Sequence, residues 1–318
     1  MAMFYRLNEQ QYARMILNEE MHYPKFLDKL KGDVFVEVFT KIMQLISQKR
    51  EEGLFSIKVN CDWVNTICVV IKLIPSEDIK TWPSNVATYF NNKDILVDGK
   101  LDNPSISITI PCDGKDVNYD ALETSLCHEL THLYDDWVSI TNGNGCICAN
   151  ITNVDTEKFI GANLKKDKDK ALTRSLAFLA YMSLKTERQA FASQTLRELI
   201  GLGFELRNYK DVMKKSSFFK NMNESFKEAM DGLENCKDAD LVILNRRIMT
   251  LYPNANIPKI KAQEFIPEEY RRKLVRWAEK VYHDGMKVYG GVVQYYLNKL
   301  EEENLKKYGP PKDLWRYL

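Results

Sequence analysis

Residues 126–136 read LCHELTHLYDD, in which His128 and His132 stand four residues apart and Glu129 directly follows the first histidine. Four residues advance a helix by about 400°, so the two imidazoles lie one turn apart on the same face. They can therefore bind one zinc ion through nitrogen atoms at about 2.0–2.1 Å. Glu129 lies beside the ion, where it can accept a proton from a water molecule whose pKa the metal lowers to about 7. The motif predicts a hydrolytic zinc centre with Glu129 as general base; the alternative is a surface helix with two solvated histidines.

A zinc site of this kind needs a third protein ligand, and a carboxylate is favoured because the chain has only two further histidines. Glu187 is our first choice, because it stands in an otherwise apolar helical segment where an unpaired buried charge would be costly. Two alternatives stay open. In the first, Glu187 would be a surface residue paired with Lys185 or Arg188. In the second, Glu157 would replace it as the ligand.

Asp135 and Asp136 follow the second histidine at distances from which a carboxylate could orient an imidazole. Asp136 is four residues beyond His132, within reach of the imidazole N–H, and Asp135 lies three beyond it on the ligand face. Either acid could take this role, and both could instead be solvated residues at the end of the helix.

The composition is that of an ordinary folded protein, with 318 residues, 45% hydrophobic residues, 28% charged residues and a formal net charge of +1. This near-neutral charge gives no reason to expect nucleic acid or an anionic membrane as a partner. No segment approaches the roughly 18 uncharged apolar residues of a membrane-spanning helix, and no signal peptide is evident. The seven scattered cysteines are typical of reduced thiols, so we expect a cytoplasmic protein.

The hydrophobic pattern changes along the chain from mixed to wholly helical. The first half is predicted to contain a helix, two strands and the motif helix: residues 33–52, 54–61, 64–74 and about 118–139. The second half is predicted to be helical in four segments: residues 171–200, 209–233, 237–250 and 266–307. This order indicates an α+β fold. We expect an N-terminal helical extension, a lobe with the motif helix and a C-terminal helical lobe: residues 1–32, 33–150 and 151–318.

Three segments lie between the second predicted strand and the motif helix. Residues 75–93 contain prolines and several asparagines and are predicted to be a loop or one short helix. Asp98-Gly99 is a signal for a hairpin turn. Residues 104–110 alternate strictly between isoleucine and polar residues, and prolines at both ends favour an edge strand because proline cannot donate to a ladder.

The sequence HELTHxxxD, from His128 to Asp136, resembles the zinc-binding helix of thermolysin-like gluzincin metallopeptidases. Glu187 with Ala190 resembles the ExxA motif of that family's second helix. The resemblance implies these roles: zinc ligands His128, His132 and Glu187, general base Glu129 and orienting carboxylate Asp136. It also implies a zincin-like lobe, with a backing helix and a small mixed sheet, in front of a helical lobe. The family often has aspartate four residues after the ligand glutamate, where this chain has Phe191.

In such folds the edge strand pairs with an extended substrate, which would make Ser105, Ser107 and Thr109 a peptide-docking strand. A peptidase also needs a donor for the tetrahedral oxyanion, and His283, the only histidine in the C-terminal half, is a candidate. Two alternatives stay open: His283 is a structural or surface residue, or Tyr181 is the donor. The sequence therefore predicts a zinc-dependent metallopeptidase that acts on a peptide or protein. The alternative is a non-catalytic zincin-like protein with a structural or assembly role, virion-associated if a phage encodes it.

Overall fold

The computed structural model describes residues 33–49, 51–61, 64–75, 87–90, 96–97, 100–112, 117–144, 171–201, 216–251 and 255–308. The predicted N-terminal extension, residues 1–32, and the alternative ligand Glu157 lie outside these ranges. The elements are, in chain order, α1 (Asp33–Gln48), β1 (Gly53–Cys61), β2 (Val64–Ile74), β3 (Ala87–Phe90), β4 (Leu96–Val97), β5 (Lys100–Leu101), β6 (Ser105–Pro111), α2 (Tyr119–Thr141), α3 (Ala171–Met182), α4 (Lys185–Gly201), α5 (Ser217–Asn235), α6 (Asp238–Leu251) and α7 (Pro267–Tyr308). The predicted α+β class is confirmed, since a mixed sheet with its helices precedes a helical half.

The sheet is built around β2, whose nearly continuous β-branched sequence is typical of a strand with neighbours on both sides. β1 pairs with β2 in antiparallel orientation, and β6 pairs with it in parallel orientation. β3 then pairs antiparallel with β6. The short strands β4 and β5 pair on either side of Asp98-Gly99, as the hairpin prediction requires, and β5 joins the start of β2.

The prediction that residues 104–110 form an edge strand is wrong. β6 lies between β2 and β3, and its register pairs Ser105 with Phe90 and Ile108 with Ala87. Pro104 precedes this strand and Pro111 is its last residue, so neither interrupts the ladder. The Pro104 carbonyl accepts a hydrogen bond from the Cys68 N–H. The prediction of a loop or helix over residues 75–93 is also wrong at residues 87–90, which form β3. Among the described strands, β3 takes the outer position beside β6.

A single long helix over residues 171–200 is not formed, because the chain breaks between α3 and α4 at Ser183 and Leu184. The guanidinium of Arg188 donates to the carbonyl oxygens of Met182 at 2.9 Å and Ser183 at 2.8 Å, which satisfies the end of α3. Glu187 therefore lies in the first turn of α4 and not in the middle of a helix. A carboxylate is favoured there by the positive end of the helix dipole.

Two hydrophobic cores hold the described residues together. The first is formed by α1, the sheet and the apolar face of α2, and the second by α3 to α7. Helices α2 and α4 meet between them: the Cys127 thiol donates to the Ser193 carbonyl at 3.6 Å. Arg197 of α4 also pairs with Glu123 of α2. The two helices that carry the candidate ligands are thus fixed against each other while each is anchored in a different core.

No described helix combines the length and hydrophobicity needed to cross a membrane.

Candidate metal centre

Three side chains from α2 and α4 meet at one point, and we call His128, His132 and Glu187 the triad. The Nε2 atoms of the two histidines are 3.1 Å apart. Oε2 of Glu187 lies 3.4 Å from Nε2 of His128 and 3.5 Å from Nε2 of His132. The two histidines are each 7% exposed and Glu187 is 5% exposed. The structure therefore gathers the three predicted ligands into one buried cluster.

The triad has the spacing of ligands around one metal ion. Two donor atoms about 2.0–2.1 Å from a tetrahedral ion are about 3.4 Å apart, which matches both contacts of Glu187. An N–H···O hydrogen bond is shorter, at about 2.7–3.2 Å. Within the described residues Oε2 of Glu187 is buried and makes no hydrogen bond, although it faces two nitrogen atoms. The two contacts of Glu187 thus match those of ligands around one cation, while the 3.1 Å between the two Nε2 atoms is also a hydrogen-bond distance.

The acids around the triad favour a positive charge at His132. Burial raises the pKa of Glu187, but the neighbouring His132 and His128 outweigh it and hold that pKa well below its usual value. Burial also lowers the pKa of His132, but the charges of Glu187, Glu129 and Asp135 raise it to about 9. Either a proton or a metal ion can supply this positive charge.

Glu129 lies next to the triad and is held by the outer strand of the sheet. Its Oε2 accepts a hydrogen bond from the backbone N–H of Tyr89 at 2.7 Å. Burial raises the pKa of Glu129, and the lowering effects of the two histidines and of this hydrogen bond do not cancel it. A raised pKa brings a carboxylate closer to the pH at which it works well as a general base.

Asp135 and Asp136 are both buried, so the alternative that they are solvated is wrong. Asp136 is fully buried, and its Oδ2 accepts a hydrogen bond from the Tyr89 hydroxyl at 2.9 Å. Asp135 is the acid whose charge contributes to the raised pKa of His132. Which of the two orients the histidine stays a prediction.

Phe191 packs against the triad at the position where the gluzincin pattern often has aspartate. Its ring lies edge-on to the imidazole of His128, with 5.0 Å between the centroids and 85° between the planes. The rings of Phe178, Tyr181 and Phe218 pack around Phe191 at 5.9–6.5 Å. An aromatic contact thus restrains the first histidine on this side.

The structure also decides the alternatives for the predicted residues. The two histidines are not solvated, since both are buried. Glu187 is not a surface residue, and Arg188 binds carbonyl oxygens instead. His283 is exposed on α7, and no hydrogen bond or ion pair joins it to the triad within the described ranges. Its role as oxyanion donor stays a prediction.

The substrate-docking role predicted for Ser105, Ser107 and Thr109 has lost its basis. Their strand is internal, and β2 and β3 pair with it on its two sides. The residue that sequence reasoning missed is Tyr89, which lay in a segment taken for a loop. The sequence ATYF of β3 combines β-branched and aromatic residues, and this was the available signal for a short strand.

No protein-family model, no curated protein and no solved structure matches this chain. The likeness to gluzincins therefore rests on the two short motifs and on the meeting of His128, His132 and Glu187 in one buried triad that could hold a metal ion.

Proposed function

We propose that this protein is a zinc-dependent peptide hydrolase in which the triad binds the ion and Glu129 is the general base. The observation that carries the proposal is the position of Glu187. This residue comes from a separate helix, 55 positions beyond His132, and its carboxylate still reaches both imidazoles. Two histidines and one glutamate form a ligand set of catalytic zinc sites, in which water or substrate takes the fourth position. A zinc ion bound there would polarise a carbonyl group and lower the pKa of a water molecule to about 7.

In this proposal Glu129 moves the proton. Its carboxylate is next to the triad, and burial raises its pKa. One oxygen, Oε2, is fixed by the Tyr89 N–H, while a carboxylate offers further lone pairs on its other oxygen. Glu129 would accept a proton from the attacking water and later pass it to the leaving amine.

The strand β3 favours a peptide as the substrate. It is the outermost described strand on its side of the sheet, and it lies against the helix that carries Glu129. An exposed strand edge can bind an extended peptide through backbone hydrogen bonds. The docking role predicted for the 104–110 strand is thus transferred to residues 87–90.

A second candidate is a non-catalytic protein in which the metal site serves structure or assembly. The deep burial of the triad favours it, since all three residues are less than a tenth exposed. Structural zinc sites use four protein ligands, however, and the described residues bring three to this point. The two candidates differ in whether the bound metal supports hydrolysis.

The test is a Glu129→Gln variant assayed for bound zinc and for cleavage of a mixed peptide library. We expect the wild type to bind one zinc ion per chain and to hydrolyse peptides. The variant should keep the zinc and lose at least about 100-fold in kcat, because it has lost its general base. Glu228→Gln is the matched control: Glu228 pairs with Arg174 and Ser175, away from the triad. Full activity in Glu129→Gln, or a wild type without zinc, would refute the proposal.

A further inference from the structure

Tyr89 forms hydrogen bonds to two acids of α2 through two different groups. Its backbone N–H donates to Oε2 of Glu129 at 2.7 Å, and its side-chain hydroxyl donates to Oδ2 of Asp136 at 2.9 Å. No other described residue bonds to both of these acids. The gluzincin resemblance assigns no role to a residue at this position.

One of the two acids, Glu129, lies between the histidines of α2, and the other, Asp136, lies one turn beyond His132. They are seven residues apart, which corresponds to about 10.5 Å along the axis and nearly two full turns, so both face the same side of the helix. His132 lies between them in the sequence. One residue of the sheet is therefore bonded to α2 at two points, one within the metal-binding stretch and one a turn beyond it.

The register of the sheet explains why the tyrosine ring reaches the helix. Tyr89 is directly opposite Ile106 in the antiparallel pair of β3 with β6, and opposite residues point to the same face. Ile106 is fully buried in the core that also contains the apolar face of α2. The ring thus enters this core and ends at Asp136, while the backbone N–H meets Glu129.

The hydroxyl bond is a strong candidate for setting the distance between β3 and α2. Its acceptor Asp136 is fully buried, and a hydrogen bond to a buried carboxylate is stronger than one between neutral groups. β3 is only four residues long, so its pairing with β6 provides few other restraints. A small change in this distance would move the N–H away from Glu129.

We propose that Tyr89 is a positioning residue of the hydrolase. Its hydroxyl, anchored on Asp136, holds β3 at the distance at which its N–H fixes the Glu129 carboxylate beside the triad. This inference rests on the proposed function, because it concerns the orientation of the general base. Tyr89 itself touches neither the ion nor the reacting atoms.

The test uses Tyr89→Phe, which removes the hydroxyl and keeps the ring and the backbone N–H. We expect kcat to fall roughly 10-fold or more, because a small misplacement of a catalytic group has a large effect on rate. Zinc content should be unchanged, and KM should change less than kcat because β3 keeps the backbone groups that would pair with a peptide. Tyr282→Phe is the matched control: Tyr282 is also half-buried and loses one hydroxyl bond, to Asn223 on α5.

A second variant, Asp136→Leu, removes the acceptor and keeps a similar side-chain shape. If the hydroxyl acts through Asp136, the double variant should have the kcat of the more impaired single variant, so the two effects should not add. Thermal unfolding of each variant separates this result from loss of fold. A kcat of Tyr89→Phe equal to that of the wild type, a change confined to KM, or additive effects would overturn the positioning role and leave the hydrolase proposal intact. A zinc-loaded wild type without hydrolysis would overturn both.

Discussion

Glu187 places a carboxylate oxygen at nearly equal distances from two imidazole nitrogens, at a buried point. An amide at this position would keep the shape of the side chain but would lose the negative charge that a dication needs. The neighbouring Phe191 ring cannot replace it, because it offers no ligand atom. The affinity of the site for metal should therefore depend steeply on this one side chain.

We expect Glu187→Gln to lower the affinity for zinc by more than about 100-fold, since loss of residues that merely support ligands already costs about 10–100-fold. Titration against a chelator of known zinc affinity measures the change. Glu228→Gln, the same substitution on α5, should bind zinc as the wild type does. An unchanged affinity in Glu187→Gln would show that the triad does not hold the ion.

The candidate site could be predicted from the sequence only where its determinants are local. His128, Glu129 and His132 share one turn of helix, so their spacing was sufficient. The role of Glu187 could be predicted because a carboxylate in an apolar segment needs a partner. The role of Tyr89 could not be predicted, because its two hydrogen bonds join it to residues 40 and 47 positions away. Only the pairing of β3 with β6 brings these residues together.

The break between α3 and α4 decides where Glu187 points. No proline or glycine marks residues 183–184, so the sequence pattern predicted one continuous helix. The break is held by contacts instead, among them the two hydrogen bonds from Arg188 to the carbonyl oxygens of Met182 and Ser183. The long, strongly periodic elements were predicted well, whereas this break and the four-residue β3 depended on the packing of the whole fold.

Replacing Arg188 by methionine should destabilise the protein and weaken zinc binding together. The variant leaves the carbonyl oxygens of Met182 and Ser183 without their donor, which should lower the free energy of unfolding by about 1–3 kcal/mol. Urea unfolding monitored by circular dichroism measures this loss, and a zinc titration measures the second effect. Arg174→Met is the control, because Arg174 makes a largely exposed ion pair with Glu228 and its loss should cost less than about 1 kcal/mol. Equal losses in the two variants would contradict the role of Arg188.

The two hydrophobic cores are connected where α2 meets α4. The apolar residues Leu126, Leu130 and Leu133 of α2 belong to the first core, and Leu196 and Leu199 of α4 belong to the second. The contacts of Cys127 with Ser193 and of Arg197 with Glu123 cross between these helices. A metal ion bound by the triad would add a further link between the cores.

Removal of zinc should therefore lower the Tm of the whole described fold. A ligand that binds only the folded state stabilises it by about 2.7 kcal/mol at a concentration 100 times its Kd. Differential scanning calorimetry with and without a chelator should show the difference as a lower Tm in the chelated sample. In Glu187→Gln the chelator should have little effect. A wild-type Tm that is insensitive to chelation would argue against a bound ion at this junction.

The candidate ligands come from two helices that pack in different cores, and this has a consequence for spectroscopy. Cobalt(II) accepts the same nitrogen and oxygen donors as zinc, and its visible absorption depends on the number and arrangement of those donors. The colour of a cobalt-loaded sample would thus report how closely α4 approaches α2. A change in that spectrum when a peptide is added would mean that occupancy of the β3 edge is sensed at the ion.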